Sequence, residues 1–177
     1  MNFAIVVAID QEAGIGKEGK LPWHLPGDLK HFKELTCRTK DPSQVNAVIM
    51  GRKTWDSLPA KFKPLPQRLN IVITHNHGLS FPDGVLKAES LSKALDLLSQ
   101  PQWKQKIESL FVIGGAQLYQ AAIEDPGCRK IFLTQIQSRF QCDTFFPDFK
   151  ERFKLTKESP KQMDGKIEFS LLEYTRA

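Results

Sequence analysis

Cysteine is scarce in this chain, and the placement of the few that occur excludes two kinds of protein. Cys37, Cys128 and Cys142 are odd in number and share no metal-ligand spacing, so neither a disulfide framework nor a thiolate metal centre is expected. Reduced thiols in a cytoplasmic compartment fit better. Long apolar runs are missing too: Phe3 to Ile9 is seven apolar residues with no basic residue ahead of it, too short to span a bilayer and unlike a secretion signal. Acidic residues are outnumbered, 20 Asp and Glu against 25 Lys and Arg, which gives a net charge of +5 and a pI near 9.1. The cations are scattered rather than gathered, and no aromatic-basic recognition motif accompanies them. The balance favours anionic partners, and a phosphorylated small molecule fits it as well as nucleic acid does.

What remains is an ordinary globular composition. With 177 residues, 41% hydrophobic and 25% charged, the chain can bury one sizeable core, and without an internal repeat or linker it reads as a single domain over 1–177. Apolar, β-branched runs at Phe3–Ile9, Val45–Met50, Leu69–Ile73, Leu110–Ile113 and Lys130–Ile136 read as buried strands. Ser90 caps a helical stripe of Leu91, Ala94, Leu95 and Leu98 that ends at Pro101. Phe153–Lys157 and Ile167–Tyr174, flanking Asp164-Gly165, read as antiparallel strands at a sheet edge. Strands alternating with helices predict a parallel α/β sheet finished by antiparallel strands, a fold that binds ligands at the carboxyl ends of its strands.

Several stretches carry candidate chemistry. Leu21-Pro22-Trp23-His24-Leu25-Pro26-Gly27-Asp28 leads into a helix expected from about Leu25 to Thr36, with Leu25, Asp28, Leu29, Phe32 and Leu35 on one side at helical spacing. Asp28 thus interrupts an apolar stripe. It is either a first-turn carboxylate favoured by the helix dipole or a desolvated acid matched to a cationic or amidine-like ligand. Gly51-Arg52-Lys53-Thr54, a strand-to-helix turn with two cations and a hydroxyl, is a phosphate site or a solvated basic turn. The strand Leu110–Ile113 runs into Gly114-Gly115-Ala116-Gln117-Leu118-Tyr119, where paired glycines permit either a pyrophosphate or close strand-to-helix contact; the G-x-G-x-x-G fingerprint is absent. Arg68 leaves the proline-containing loop Lys61–Gln67 either as a surface cation or as a clamp for a carboxylate. Thr134, a hydroxyl in an apolar strand, needs a partner, either a backbone carbonyl or Asp28. Thr74-His75-Asn76-His77 lacks acidic or thiol companions at metal spacing, and Asp10–Lys20, with Gly14, Gly16 and Gly19, reads as an ordered but mobile loop.

Taken in order, these residues resemble dihydrofolate reductase over nearly the whole chain. The resemblance rests on Gly14-Ile15-Gly16, Leu21-Pro22-Trp23, Leu25-Pro26-Gly27-Asp28, Val48-Ile49-Met50-Gly51-Arg52-Lys53-Thr54-Trp55, Pro64-Leu65-Pro66-Gln67-Arg68, Val112-Ile113-Gly114-Gly115 with Tyr119, and Asp143-Thr144-Phe145-Phe146-Pro147. Asp rather than Glu at position 28 looks like the bacterial branch of that family. The resemblance implies an eight-stranded mixed, mostly parallel sheet with four flanking helices, a cis Gly114-Gly115 peptide, and NADPH-dependent reduction of 7,8-dihydrofolate to tetrahydrofolate in one-carbon metabolism.

It also implies residue roles. Asp28, supported by Thr134, would anchor the pterin ring, and a water near Leu21, Trp23 and Asp28 would carry the proton to N5. Val6, Val7, Ala8, Leu29, Phe32, Ser57, Leu58, Leu65, Ile113 and Tyr119 would line the folate site, with Arg68 on the glutamate α-carboxylate. Ala8, Ile15, Gly16, Gly51, Thr54 and the turn Gly114, Gly115, Ala116, Gln117 and Leu118 would seat the nicotinamide half and pyrophosphate of NADPH. Arg52, Lys53, Thr74, His75 and Asn76 would flank the adenosine 2′-phosphate, where His75 and Glu89 depart from the family pattern. The implied protein is a cytoplasmic monomer acting on dihydrofolate and bound by antifolate inhibitors, with no metal, nucleic acid or membrane. A pyrimidinone reductase of the same fold would share the cofactor turns yet have no use for the Trp23-to-Asp28 and Arg68 set. A basic nucleotide binder would give no reason for an inward carboxylate.

Overall fold

Strands that are apolar on both sides are stable only inside a sheet covered on both faces, and the five apolar runs form the middle of such a sheet. The computed structural model describes residues 1–177. In chain order the elements are β1 (Phe3–Ile9), β2 (Gly14–Gly16), α1 (Pro26–Cys37), β3 (Val45–Gly51), α2 (Arg52–Ser57), β4 (Arg68–Ile73), β5 (Leu86–Ala88), α3 (Leu91–Leu98), α4 (Pro101–Lys104), β6 (Ile107–Val112), α5 (Ala116–Glu124), β7 (Cys128–Ile136), β8 (Thr144–Phe145), β9 (Phe153–Glu158), β10 (Gln162–Asp164) and β11 (Ile167–Arg176). The main sheet runs β10-β11-β7-β1-β6-β3-β4-β5, and β9 shares the β10 edge by pairing with the other end of β11. Eight positions therefore span the sheet, parallel from β7 to β5 and antiparallel at β11, β10 and β9. A fifth helix, the single turn α4, joins the four expected.

Residues alternate between faces along each strand. On one face Ile5, Val7, Ile9, Ile49 and Ile71 join Leu91, Ala94 and Leu98 of α3 and Leu118, Ala122 and Ile123 of α5 in a cluster of 25 buried residues. On the other, Val6, Val48, Met50, Val72 and Phe111 join Trp55 and Leu65 in a cluster of only seven, with Phe32 and Leu35 of α1 leaning against it. The second face is thus thinly covered, and α1 stands over it as the wall of a cleft.

Two expectations change here. The helix begins at Pro26, because proline at the first helical position forfeits only an N–H that has no intrahelical partner; Leu25 lies just outside and is buried. The apolar stripe does not enter the core as a whole: Leu29 is 48% exposed, and Leu21 ahead of the helix 57%.

The segment Asp10–Lys20 is also more structured than its glycines suggest. Its β2 pairs with β8, and a bridge joins Lys17 to Lys20. Buried Asp10 accepts N–H bonds from Glu12, Gly14 and Phe140, and the Cys142 thiol donates to it at 3.6 Å. Burial alone would push the Asp10 carboxyl up, but the donors of Gly14, Phe140 and Glu12 outweigh it and hold the group below the usual range. Farther along, Asp143 accepts the Glu18 N–H at 2.8 Å. No helix is long and apolar enough to cross a membrane.

Asn46 fixes the far end of α1. Fully buried in β3, its Nδ2 donates to the carbonyls of Thr36 and Arg38, and its Oδ1 accepts from the Ser109 N–H. Asn46→Ala orphans these groups and is expected to cost about 3 kcal/mol, read as a lower urea midpoint.

Candidate functional site

The site is built where α1 meets β1 and β7. Asp28 lies in the first turn of α1, and Thr134 sits on β7 opposite Ala8 of β1 and Leu171 of β11. The Thr134 hydroxyl donates to Asp28 Oδ1 at 2.6 Å, which makes the carboxylate, and not a backbone carbonyl, its partner. Burial is the largest influence on the Asp28 carboxyl and pushes it up. The Thr134 hydrogen bond and nearby His31 pull it down, Asp164 pushes it up, and the balance lies above the ordinary carboxylate range. Trp23 is buried beside this site, edge-on to Phe140 with ring centroids 5.2 Å apart, and its Nε1–H has no protein acceptor. A buried N–H of this kind calls for a water or a ligand.

Tyr119 closes the floor. Its hydroxyl donates to the Val6 carbonyl at 2.9 Å; burial first, and the Asp28 charge second, keep it firmly protonated. Val6 and Val7 are buried, Ala8 and Phe32 half-buried. Opposite, Asn70 ties down the second wall by accepting the Leu65 N–H and donating to the carbonyls of Leu65 and Arg68. Leu65 is buried and Leu58 half-buried; exposed Ser57 spends its hydroxyl on the Thr54 carbonyl. Arg68 is no free surface cation: Nη1 donates to Thr36 Oγ1 and Nε to the Pro66 carbonyl, both at 2.9 Å, with the guanidinium over the Phe32 ring. Its Nη2 makes no hydrogen bond within the protein.

A second group of residues gathers where β3 and β6 end. The Ile113 N–H donates to the Ile49 carbonyl, and the Gly51 N–H to the Gly114 carbonyl at 2.7 Å, so both turns are held together. The Gly114-Gly115 peptide is cis, and Gly114 has φ of 126°. A Cβ on Gly114 would stand 3.2 Å from Thr54 Oγ1 and 3.4 Å from Tyr119 Oη, so only bare backbone fits. Gly115 precedes α5 without a side-chain cap, which leaves the Ala116 to Leu118 turn open to an anion. Ile15 and Gly16 lie on β2. Arg52 pairs with Asp56 at 2.6 Å, and Lys53 beside it is exposed. Thr74 Oγ1 accepts the Asn76 N–H, His75 is exposed, and Glu89 pairs with His77 at 3.2 Å. Bare glycine backbone, an uncapped helix start and nearby cations fit a dinucleotide, with the carboxylate site across β1 from it.

Sequence reasoning missed Asn46, Asn70 and Asp164. The first two carried the signal that singled out Thr134, a hydrogen-bonding side chain inside an apolar strand. Asp164 gave none, because its partner lies 137 residues away.

A family model described as dihydrofolate reductase matches residues 2–176. A dihydrofolate reductase of Heliothis virescens is 41% identical over 180 residues, covering 97% of this chain and 96% of that protein. A bifunctional dihydrofolate reductase-thymidylate synthase of Glycine max is 44% identical over 179 residues, 99% of this chain, which spans only 34% of that longer protein. Among solved structures, the dihydrofolate reductase of Schistosoma mansoni superimposes with a TM-score of 0.87 at 34% identity, covering 100% of this chain and 99% of the other.

The raised Asp28 carboxyl has a sign for stability. The native state holds its proton to higher pH than the unfolded chain, so stability falls as pH rises through that window, and the ionised group is a net cost at neutral pH. Asp28→Asn is therefore expected to raise Tm at pH 7 by roughly 2–4 °C, measured by calorimetry.

Proposed function

The chain belongs to the dihydrofolate reductase family, and on that footing we propose that it reduces 7,8-dihydrofolate to tetrahydrofolate with NADPH. The observation that carries this reading is the desolvated Asp28 carboxylate held by Thr134 at 2.6 Å beside the unpaired Trp23 N–H. A carboxylate so placed accepts two parallel N–H bonds, from the amino group and ring nitrogen of a pterin, and such charge-assisted pairs fix orientation as well as affinity. Bound NADPH supplies hydride for C6 of the pterin. Trp23 holds a water between Leu21 and Asp28, the route by which a proton reaches N5. Tyr119 and the apolar walls of Val6, Phe32 and Leu65 exclude other water, which strengthens each polar contact inside.

Arg68, pre-oriented by Thr36 and the Pro66 carbonyl, takes the α-carboxylate of the glutamate tail on its Nη2 edge. Thr54 and the Gly114 to Leu118 turn receive the nicotinamide half and pyrophosphate. Lys53 and Arg52, with Thr74, His75 and Asn76, face the 2′-phosphate and favour NADPH over NADH. In this reading the chain works as a cytoplasmic monomer.

Oxidation of NADPH in the presence of dihydrofolate tests the reading directly. Turnover is expected to fall as pH rises through the raised Asp28 pKa, because the proton route needs the acid side of that titration. Asp28→Asn is expected to lose most turnover, about 100-fold, while NADPH binding followed by fluorescence is retained; near-normal turnover in that variant contradicts the assignment. Lys53→Ala is expected to raise the Kd for NADPH about tenfold and leave NADH unchanged, the signature of one lost phosphate contact.

A further inference from the structure

Asp28 stands in the first turn of a helix that cannot cap itself. Leu25, at the capping position, offers no side-chain acceptor, and Pro26 at the first helical position has no N–H. The first N–H of α1 is therefore that of Gly27. Its acceptor comes from the far end of the chain: the Gly27 N–H donates to Asp164 Oδ2 at 2.7 Å. Asp164 is the last residue of β10, where the hairpin turns through Gly165 into β11.

The fit is close. A Cβ on Gly27 would lie 3.0 and 3.1 Å from the two Asp164 carboxylate oxygens and 3.2 Å from the Phe169 ring, so any larger residue would push the hairpin or the carboxylate back by a few tenths of an ångström. Phe169, from β11, is buried in one cluster with Trp23, Leu25 and Ile136, which locks the same hairpin to the segment leading into α1.

We propose that Asp164 is a positioning residue for the reductase reaction: by capping α1 from the β10-β11 hairpin, it sets the placement of the Asp28 carboxylate and adds a second negative charge behind it. The inference rests on the reading of Asp28 as the pterin anchor. Asp164 touches neither pterin nor cofactor and acts through α1. Its charge opposes ionisation of Asp28, the same direction as burial, whereas His31 on α1 and the Thr134 hydroxyl on β7 favour it; Tyr119 on α5, firmly protonated, adds no charge. Two carboxylates sharing one helix start also favour a ligand that brings a proton, which suits a basic pterin or diaminopyrimidine ring.

Two variants separate the contributions. Asp164→Asn keeps an oxygen acceptor for the Gly27 N–H and removes the charge; Asp164→Ala removes both. The inflection of kcat/KM against pH is expected to move to lower pH by about half a pH unit in both variants, because the charge that opposes Asp28 ionisation is gone. KM for dihydrofolate is expected to stay near wild type in Asp164→Asn and to rise about fivefold in Asp164→Ala, where α1 loses its cap. A merely structural role would lower Tm without moving the inflection. If Asp164→Ala does not fold, Asp164→Asn alone decides. A folded Asp164→Asn enzyme whose pH profile superimposes on wild type overturns the proposal, and with Asp28→Asn inactive in the same assay the pterin-anchor reading survives; an active Asp28→Asn enzyme overturns that reading instead.

Discussion

The hydrogen bond from Thr134 to Asp28 is the constraint around which the rest of the molecule is arranged. A carboxylate half out of water is costly, and a helix carrying one into a cleft needs compensation at the receiving strand. Thr134 supplies it from β7, the strand that pairs with β1 on one side and β11 on the other, so the donor is held by hydrogen-bonded neighbours on both flanks. The carboxyl nevertheless remains above its ordinary range. In the proposed reading a basic, planar ligand relieves that residual cost, which gives a destabilising group a place in the fold.

The asymmetry of the sheet provides the room. One face is sealed by α3 and α5 over 25 buried residues, and it carries the bulk of the hydrophobic stabilisation. The other keeps a cluster of seven and relies on polar ties to hold α1 over the gap. Asn46 and the Arg68–Thr36 pair grip its carboxyl end, and the Gly27–Asp164 contact grips its amino end. Polar ties of fixed length suit this task better than apolar packing, because they fix the helix without filling the cleft beneath it. Across β1, the Gly51 N–H to Gly114 carbonyl bond draws the two glycine turns together, so the proposed hydride donor and its acceptor share one sheet as their common reference.

Most of this was legible in the order of residues, for local reasons. Apolar runs located the strands, Ser90 located the start of α3, and Gly114-Gly115 marked the turn where a side chain would collide with Thr54 and Tyr119. Thr134 was suspect because a hydroxyl in a buried strand must be satisfied. The boundaries that shifted did so for equally local reasons: Pro26 begins α1 because it needs no acceptor, and β7 runs back to Cys128 because Cys128 and Lys130 both pair with β1 while Arg129 bulges out between them and both charges stay exposed. What could not be read were contacts between distant segments. Asp10 and Asp143 look like loop acids in sequence, yet one receives Gly14 and Phe140 and the other Glu18, and together they turn a glycine-rich stretch into a braced flap. Asp164 belongs to the same class.

The central claim is that Asp28 is the ionisable anchor for a basic ring. Calorimetric titration with a diaminopyrimidine antifolate, in buffers of different ionisation enthalpy, counts the protons that accompany binding. With Asp28 ionised and the free ligand neutral, uptake of about one proton per ligand is predicted, because the bound ring is protonated opposite the carboxylate, and Asp28→Asn should abolish it. Uptake that is absent in the wild type, or unchanged by Asp28→Asn, would contradict the claim.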